Sequence, residues 1–179
     1  MEIIDMELKV KIEDMLEEVG KTTCYFKSKQ ASFWVLDKTP CIILDSPDNA
    51  QRRKAIEVIQ IVNQNKALEE IGFIAIDMCL IQENNCDFVV FKGKTMTFCE
   101  DKMNMSSKER LEENAQKAMQ QIGNAKQYFN EKLFGVGKIE AFIGVPEMFT
   151  KNPNAYRSLQ IKLTDEFKMS VKIGQKVSI

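Results

Sequence analysis

Histidine is missing altogether from this 179-residue chain, and none of its five cysteines (Cys24, Cys41, Cys79, Cys86, Cys99) forms a C-x-x-C pair. The usual zinc-ligand spacings therefore cannot be assembled, and Ser-His-Asp and Cys-His nucleophilic centres are excluded as well. What remains for proton transfer and ion binding is carboxylates and lysines, an inventory that fits hard-metal chemistry. Long apolar runs are also missing. The segment Ile71 to Ile81 is interrupted by Asp77 and falls far short of the ~20 residues a membrane span needs, and the start Met1-Glu2 lacks a signal peptide's basic region. The expectation is a cytoplasmic protein without membrane association, its cysteines reduced and buried as small residues, as in Asp77-Met78-Cys79-Leu80. A strong net charge is absent too: 25 basic residues against 26 acidic ones give no general pull on nucleic acid.

What is present is an ordinary globular composition, 44% apolar and 28% charged, at a length that one continuous core can serve. A single domain over residues 1–179 is expected. Charge is unevenly distributed, acidic over residues 1–20 and basic over residues 151–179, where Lys151, Arg157, Lys162, Lys168, Lys172 and Lys176 face only Asp165 and Glu166. Such a patch suits either a phosphate backbone or plain solvent.

Ile4, Leu8, Ile12, Met15, Leu16 and Val19 recur at helical spacing, and Gly20 closes the run as a C-cap. A hairpin is predicted with arms near Ser32 to Leu36 and Cys41 to Leu44 about the turn Asp37-Lys38-Thr39-Pro40. Ser46-Pro47-Asp48 reads as the start of a helix reaching to about Glu69. Three strands follow, Phe73 to Ile81, Asp87 to Phe91 and Thr95 to Asp101, as an antiparallel meander. Ser106 and Glu109 suggest a capping box, and Leu111, Ala115, Ala118, Ile122, Ala125, Phe129 and Leu133 form the stripe of a long helix. Lys138 to Val145 reads as a strand, 154–167 as a helix and Met169 to Ile173 as a last strand. The fold class is therefore α/β with a mixed sheet.

Chemistry concentrates in Asp87 to Lys102. If Gly93-Lys94 is a two-residue type II′ loop, Lys92 faces Thr95, Val89 faces Phe98, and Asp87 faces Glu100. Period-two alternation then puts Lys102 on the face of Glu100. Two carboxylates directly opposed cost up to ~1 kcal/mol unless a cation or the lysine neutralises them. Oxygen ligands suit Mg²⁺ or Mn²⁺, and a nearby ammonium can orient an attacking water. Two other E-x-K triplets, at Glu7 and Glu166, lack a facing acid on a strand.

An acid opening one strand and E-x-K on the next resembles the PD-(D/E)xK, restriction-endonuclease-like nuclease superfamily, here as Asp87 and Glu100-Asp101-Lys102, with Cys86 where proline often precedes the acid. The resemblance implies a core αβββαβ over 47–145, leaving 1–46 as a helix and hairpin extension and 146–179 as a C-terminal helix and strand. It implies a metal-dependent hydrolase cutting phosphodiester bonds of DNA, with RNA as the other possible substrate. Asp87, Glu100 and the Asp101 backbone carbonyl would bind Mg²⁺ or Mn²⁺, and Lys102 would position the water. An added acid from the preceding helix would be Glu57. On the long helix Gln121 resembles a glutamine of some family branches, and with Lys117, Asn124 and Tyr128 it forms a polar stripe suited either to nucleic acid or to solvent. Cutting both strands with one site per chain would favour a homodimer. The alternatives are a catalytically inactive member of the fold serving as a nucleic-acid- or protein-binding module, and an unrelated α/β protein whose acidic first helix docks on a partner.

Overall fold

In the computed structural model, which describes residues 2–36, 40–44, 58–64, 69–82, 84–102, 107, 110–133, 136–150 and 153–179, the chain opens with helix α1, Glu2–Glu18. Leu8, Ile12, Met15 and Leu16 recur at helical spacing and all are buried, so packing holds this helix in place. Its end is closed as expected at Gly20: the Gly20 N–H donates to the Glu17 carbonyl (3.0 Å) and the Lys21 N–H to the Leu16 carbonyl (2.8 Å), a Schellman pair. Strands β1 (Tyr25–Ser28), β2 (Ser32–Leu36) and β3 (Ile42–Leu44) follow. β2 and β3 form the expected hairpin. β1 has no counterpart in the sequence reading.

The helix expected to reach Glu69 is corrected where the chain is described: Val58–Val62 is a strand, β4. Val58, Ile59, Ile61 and Val62 are β-branched, and the strand buries Ile59 and Ile61 while Val58, Gln60 and Val62 stay half-buried, a period of two. Its partners are β2, antiparallel, and the C-terminal strand β10 (Lys176–Ser178), parallel. A partner so distant along the chain leaves no local signal. The expected helix start at Ser46, and Glu57, lie outside the described residues, as do Ser106 and Glu109.

The rest follows the expected order, with one short helix added that the sequence reading lacks, α3: β5 (Ile71–Ala75), β6 (Phe88–Lys92), β7 (Thr95–Asp101), α2 (Leu111–Lys132), β8 (Lys138–Gly144), α3 (Glu147–Thr150), α4 (Pro153–Phe167) and β9 (Ser170–Gly174). β5 ends earlier than Ile81 because the chain turns there, with the amides of Cys79, Leu80 and Ile81 all on the Ile76 carbonyl. One sheet has the order β1-β5-β6-β7-β8-β9 and the other β10-β4-β2-β3. β1, β5, β6 and β7 are antiparallel neighbours, whereas β7, β8 and β9 run parallel, with α2 in the connection from β7 to β8. The chain is thus a mixed α/β protein with two mixed sheets, and the four-stranded sheet draws strands from 1–46, 47–145 and 146–179 alike.

Alternation along the central strands builds three layers. Val89, Phe91, Met96 and Phe98 face α1, α2 and α4, meeting Ile12, Leu16, Met119, Ile122, Phe129 and Leu163. Phe73, Phe88, Val90, Cys99 and Phe142 face the second sheet, meeting Phe33, Val35, Ile59 and Ile61. Phe98 and Phe129 cross edge to face at 5.5 Å, and truncating either to alanine would cost about 3–5 kcal/mol. At the end of β8 the sheets approach so closely that a Cβ on Gly144 would lie 2.8 Å from the Ile59 Cδ1 and 3.5 Å from the Asp101 Cα. Among the described residues, no helix is long and apolar enough to cross a membrane.

The expectation that all cysteines are free is corrected as well. Cys24 and Cys79 form a disulfide with Cα atoms 5.7 Å apart, because antiparallel pairing of β1 with β5 brings together positions 55 residues apart in sequence. The cysteines therefore give no argument for a reducing compartment. Cys86 and Cys99 are buried free thiols and Cys41 is a half-buried one.

Two predictions follow from this architecture. Reduction with dithiothreitol, or Cys79→Ser, is expected to destabilise the fold by about 2–4 kcal/mol, because the bridge closes a long loop. Urea unfolding followed by the fluorescence of Trp34, the single tryptophan, checks it, and an unmoved midpoint refutes it. Secondly, buried Glu140 lies between Lys138 (2.6 Å) and Lys172 (2.8 Å): burial pushes its carboxyl up, but the two hydrogen-bonded ammoniums outweigh this and hold it below the ordinary 4.5. A depressed carboxyl stabilises fully above its unfolded value, and that contribution is lost as pH falls through the folded value. Glu140→Gln should therefore show a shallower loss of stability below about pH 4.5 than the wild type, and parallel pH profiles would contradict the assignment.

Candidate active site

Strands β6 and β7 pair with Phe88 opposite Cys99, Val89 opposite Phe98, Phe91 opposite Met96 and Lys92 opposite Thr95. Gly93-Lys94 is therefore the two-residue loop, and Gly93 has φ 56 while Lys94 is not among the positive-φ residues, as a type II′ turn requires. Continuing this register past the last paired residues brings Asp87 to Glu100: the Asp87 N–H donates to Glu100 Oε2 at 3.1 Å. The Asp87 carboxylate in turn accepts the Asp101 N–H. Lys102 forms an ion pair with Glu100 Oε1 and donates to Gln121 Oε1 at 3.2 Å. Asp87, Glu100 and Lys102 thus converge on the helical face of the six-stranded sheet. Asp101, one residue out of phase, puts its side chain on the other face, while its amide points to the β6 side and meets the Asp87 carboxylate.

Main-chain bonds fix these positions. The Asp87 carbonyl accepts the amides of Ile76 (2.9 Å) and Asp77 (3.3 Å) from the turn after β5, and the Lys102 N–H donates to the Gly144 carbonyl (2.9 Å), extending the β7–β8 ladder by one residue. Glu100 is 2% exposed and Asp87 9%, whereas the Lys102 side chain is 20% exposed. Buried carboxylates are costly without compensating hydrogen bonds and charge, which the Asp87 and Asp101 amides and Lys102 provide. Their field reaches the neighbouring thiols: burial first, then the charges of Glu100 and Asp87, push Cys86 well above the usual thiol range, and the same influences act on Cys99. Both are held as unreactive thiols.

Helix α2 supplies the opposite wall. Gln121 donates from Nε2 to the Asn85 carbonyl (3.2 Å), and Asn124 from Nδ2 to the Asn84 carbonyl (2.8 Å), so two carboxamides one turn apart hold the loop that leads into Asp87. Lys117, Gln120, Gln121 and Asn124 line, with Asn84, a groove of about 370 Å³. Lys117 also pairs with Glu113 at 2.7 Å. Tyr128 does not line it; its ring meets Phe129 edge to face at 5.7 Å and packs against the helical core, where burial and then the charge of Glu18 push its hydroxyl up. Gln120 and the Asn84 and Asn85 carbonyls escaped the sequence reading. Gln120 lies at the helical spacing of Lys117, Gln121 and Asn124, so the signal for it was present; the loop carbonyls carry none. Glu7 and Glu166, of the other E-x-K triplets, lie in α1 and α4.

Among the described residues, no group of three or more His, Cys, Asp or Glu is arranged to hold a metal ion. What converges is a carboxylate pair with a tethered ammonium, which can bind a hard cation through oxygen and place a water or an anionic oxygen beside Lys102. Gln121→Ala removes a bond to the charged Lys102 and one to a loop carbonyl, and is expected to cost about 1–3 kcal/mol in urea unfolding, against less than about 0.5 kcal/mol for Gln120→Ala. Equal midpoints for the two variants would refute the tether. The site stands on its geometry alone, since comparison with known proteins finds no family model, no curated protein and no solved structure that matches this chain.

Proposed function

We propose that the chain is a metal-dependent nuclease of the PD-(D/E)xK kind that hydrolyses phosphodiester bonds of DNA. The observation that carries the reading is the Glu100 carboxylate, which takes the Asp87 amide on one oxygen and the Lys102 ammonium on the other. Support also comes from the element order β5-β6-β7-α2-β8, with three antiparallel strands followed by a helix and a parallel strand. Among the described residues, α1 shares the apolar core with α2.

The donor set fits Mg²⁺ or Mn²⁺: two buried carboxylates on adjoining strands, close enough for one to accept the other residue's amide, with only oxygen to offer. Asp87 and Glu100 would hold the ion, with the Asp101 backbone carbonyl as the further ligand that the family resemblance implies. Such an ion supplies Lewis-acid polarisation of a phosphoryl oxygen and a lowered pKa for bound water. Lys102 acts beside it. Its Nζ is held between Glu100 and Gln121, so it presents a donor to a water or phosphate oxygen in a fixed direction. The turn bonded to the Asp87 carbonyl and the β8 carbonyl bonded to the Lys102 amide keep both ends of this arrangement in place.

The test is incubation of the protein with plasmid and with labelled oligonucleotides in Mn²⁺ or Mg²⁺. Cleavage is expected, abolished by EDTA and reduced at least about a hundredfold by Glu100→Ala and by Lys102→Ala, each checked for folding by circular dichroism. Nucleic acid left intact by the wild type, or cutting that survives both substitutions, would sink the reading.

A further inference from the structure

The groove beside Lys102 has a lining that identifies what enters it. Of the five described side chains that line it, Asn84, Gln120, Gln121 and Asn124 are carboxamides; Gln121 and Asn124 form hydrogen bonds with Lys102 and the loop carbonyls, and Gln120 faces the groove from the same helix. Among the described residues Lys117 is the single cation of the lining, and it is paired with Glu113. A surface that tracks a duplex backbone draws its affinity from several lysines or arginines acting on successive phosphates, a chemistry the described lining does not supply. Carboxamides instead recognise the edges of nucleobases, where donor and acceptor sit side by side. In a duplex such edges are reached only by side chains that protrude into a groove of the helix, whereas a concave pocket receives the base itself and so takes it only when it is unpaired. At about 370 Å³ the groove is at the small end of ligand pockets, suited to a nucleotide or two and not to a double helix.

Position ties the groove to the chemistry. Gln121 is at once a wall of the groove and the acceptor for Lys102, so a nucleotide seated there has its neighbouring phosphate beside the carboxylate pair. We infer that this groove is a base-binding subsite for an unpaired nucleotide, and, resting on the nuclease reading above, that the enzyme cuts single strands and unpaired ends in preference to duplex. DNA and RNA present the same base edges, and the experiment separates them.

Fluorescence anisotropy with the full chain in EDTA, using a labelled 12-nucleotide DNA, the RNA of the same sequence and the blunt DNA duplex, tests the subsite without cleavage. At least one single strand is expected to bind about tenfold more tightly than the duplex. Gln120→Ala, which touches neither Lys102 nor the carboxylates, should weaken single-strand binding about fivefold while leaving duplex binding and the thermal midpoint unchanged. Duplex binding as tight as both single strands, or single-strand binding indifferent to Gln120→Ala, overturns the assignment. The two readings fail separately: single-strand binding of this kind without any cleavage supports the subsite and overturns the nuclease, whereas equal cutting of duplex and single strand, unaffected by Gln120→Ala, overturns the subsite and leaves the nuclease.

Discussion

Gly93 takes up a backbone conformation with φ 56, and that local choice closes the loop between β6 and β7 in two residues. Loop length fixes register, and register decides which face every later side chain occupies. The alternation that sends Val89, Phe91, Met96 and Phe98 into the helical core sends Asp87, Glu100 and Lys102 to the same face just beyond its edge. Burying one such aliphatic or aromatic side chain contributes about 1.5–3 kcal/mol, whereas opposing two carboxylates across a strand pair costs at most about 1 kcal/mol. The core therefore outweighs the repulsion, and a slip that separated the acids would also exchange the side chains packed in the two cores on either face of the sheet. The site inherits its precision from packing that has nothing to do with chemistry.

Helix α2 is subject to a second constraint of the same kind. Ile122 and Ala125 pack into the core, and between them in the helical period Gln121 and Asn124 reach the loop carbonyls and, through Gln121, Lys102. Rotation of the helix that moved the amides would unpack the apolar stripe. Stability of the helical layer and placement of the ammonium are consequently one property of this sequence, with Gln121 as the residue at which they meet.

How much of this was legible follows from where each element finds its partners. α1, α2 and the β6–β7 hairpin carry their signals locally: apolar residues three and four apart, or strict alternation about a glycine turn. Their bounds and the facing of Asp87 and Glu100 could be read before any coordinates. β4 could not. Val58 to Val62 continues a segment with a good helix start at Ser46, and only β2 and β10, from opposite ends of the chain, supply the backbone pairing that makes it a strand. β1 and the Cys24–Cys79 bridge fail for the same reason, since each depends on a pairing across roughly half a hundred residues. In the site, the acids and lysine were legible because they share one hairpin. The Gln121 tether to Lys102 and the loop carbonyls was not, because it crosses from α2 to β7 and to the loop before β6.

Two buried acids in this molecule are neutralised by lysine in different ways. Glu140 is neutralised by Lys138 and Lys172, whose side chains are 63% and 43% exposed, so solvent and rotamer freedom set where each ammonium lies. Such pairs need charge of the right sign nearby and nothing more. Glu100 is treated differently. Its lysine is 20% exposed and is held a second time, by a neutral carboxamide on another element that adds no charge to the pair but removes freedom from the ammonium. Neutralising Glu100 does not require that second bond, and immobilising a long side chain has an entropic cost of up to about 2 kcal/mol. Holding a donor in a fixed direction beside two carboxylates does require it, and that is the arrangement an aligned water or phosphate oxygen needs. On the proposed nuclease reading, the tether on Lys102 therefore meets a requirement of catalysis that neutralising Glu100 alone would not impose.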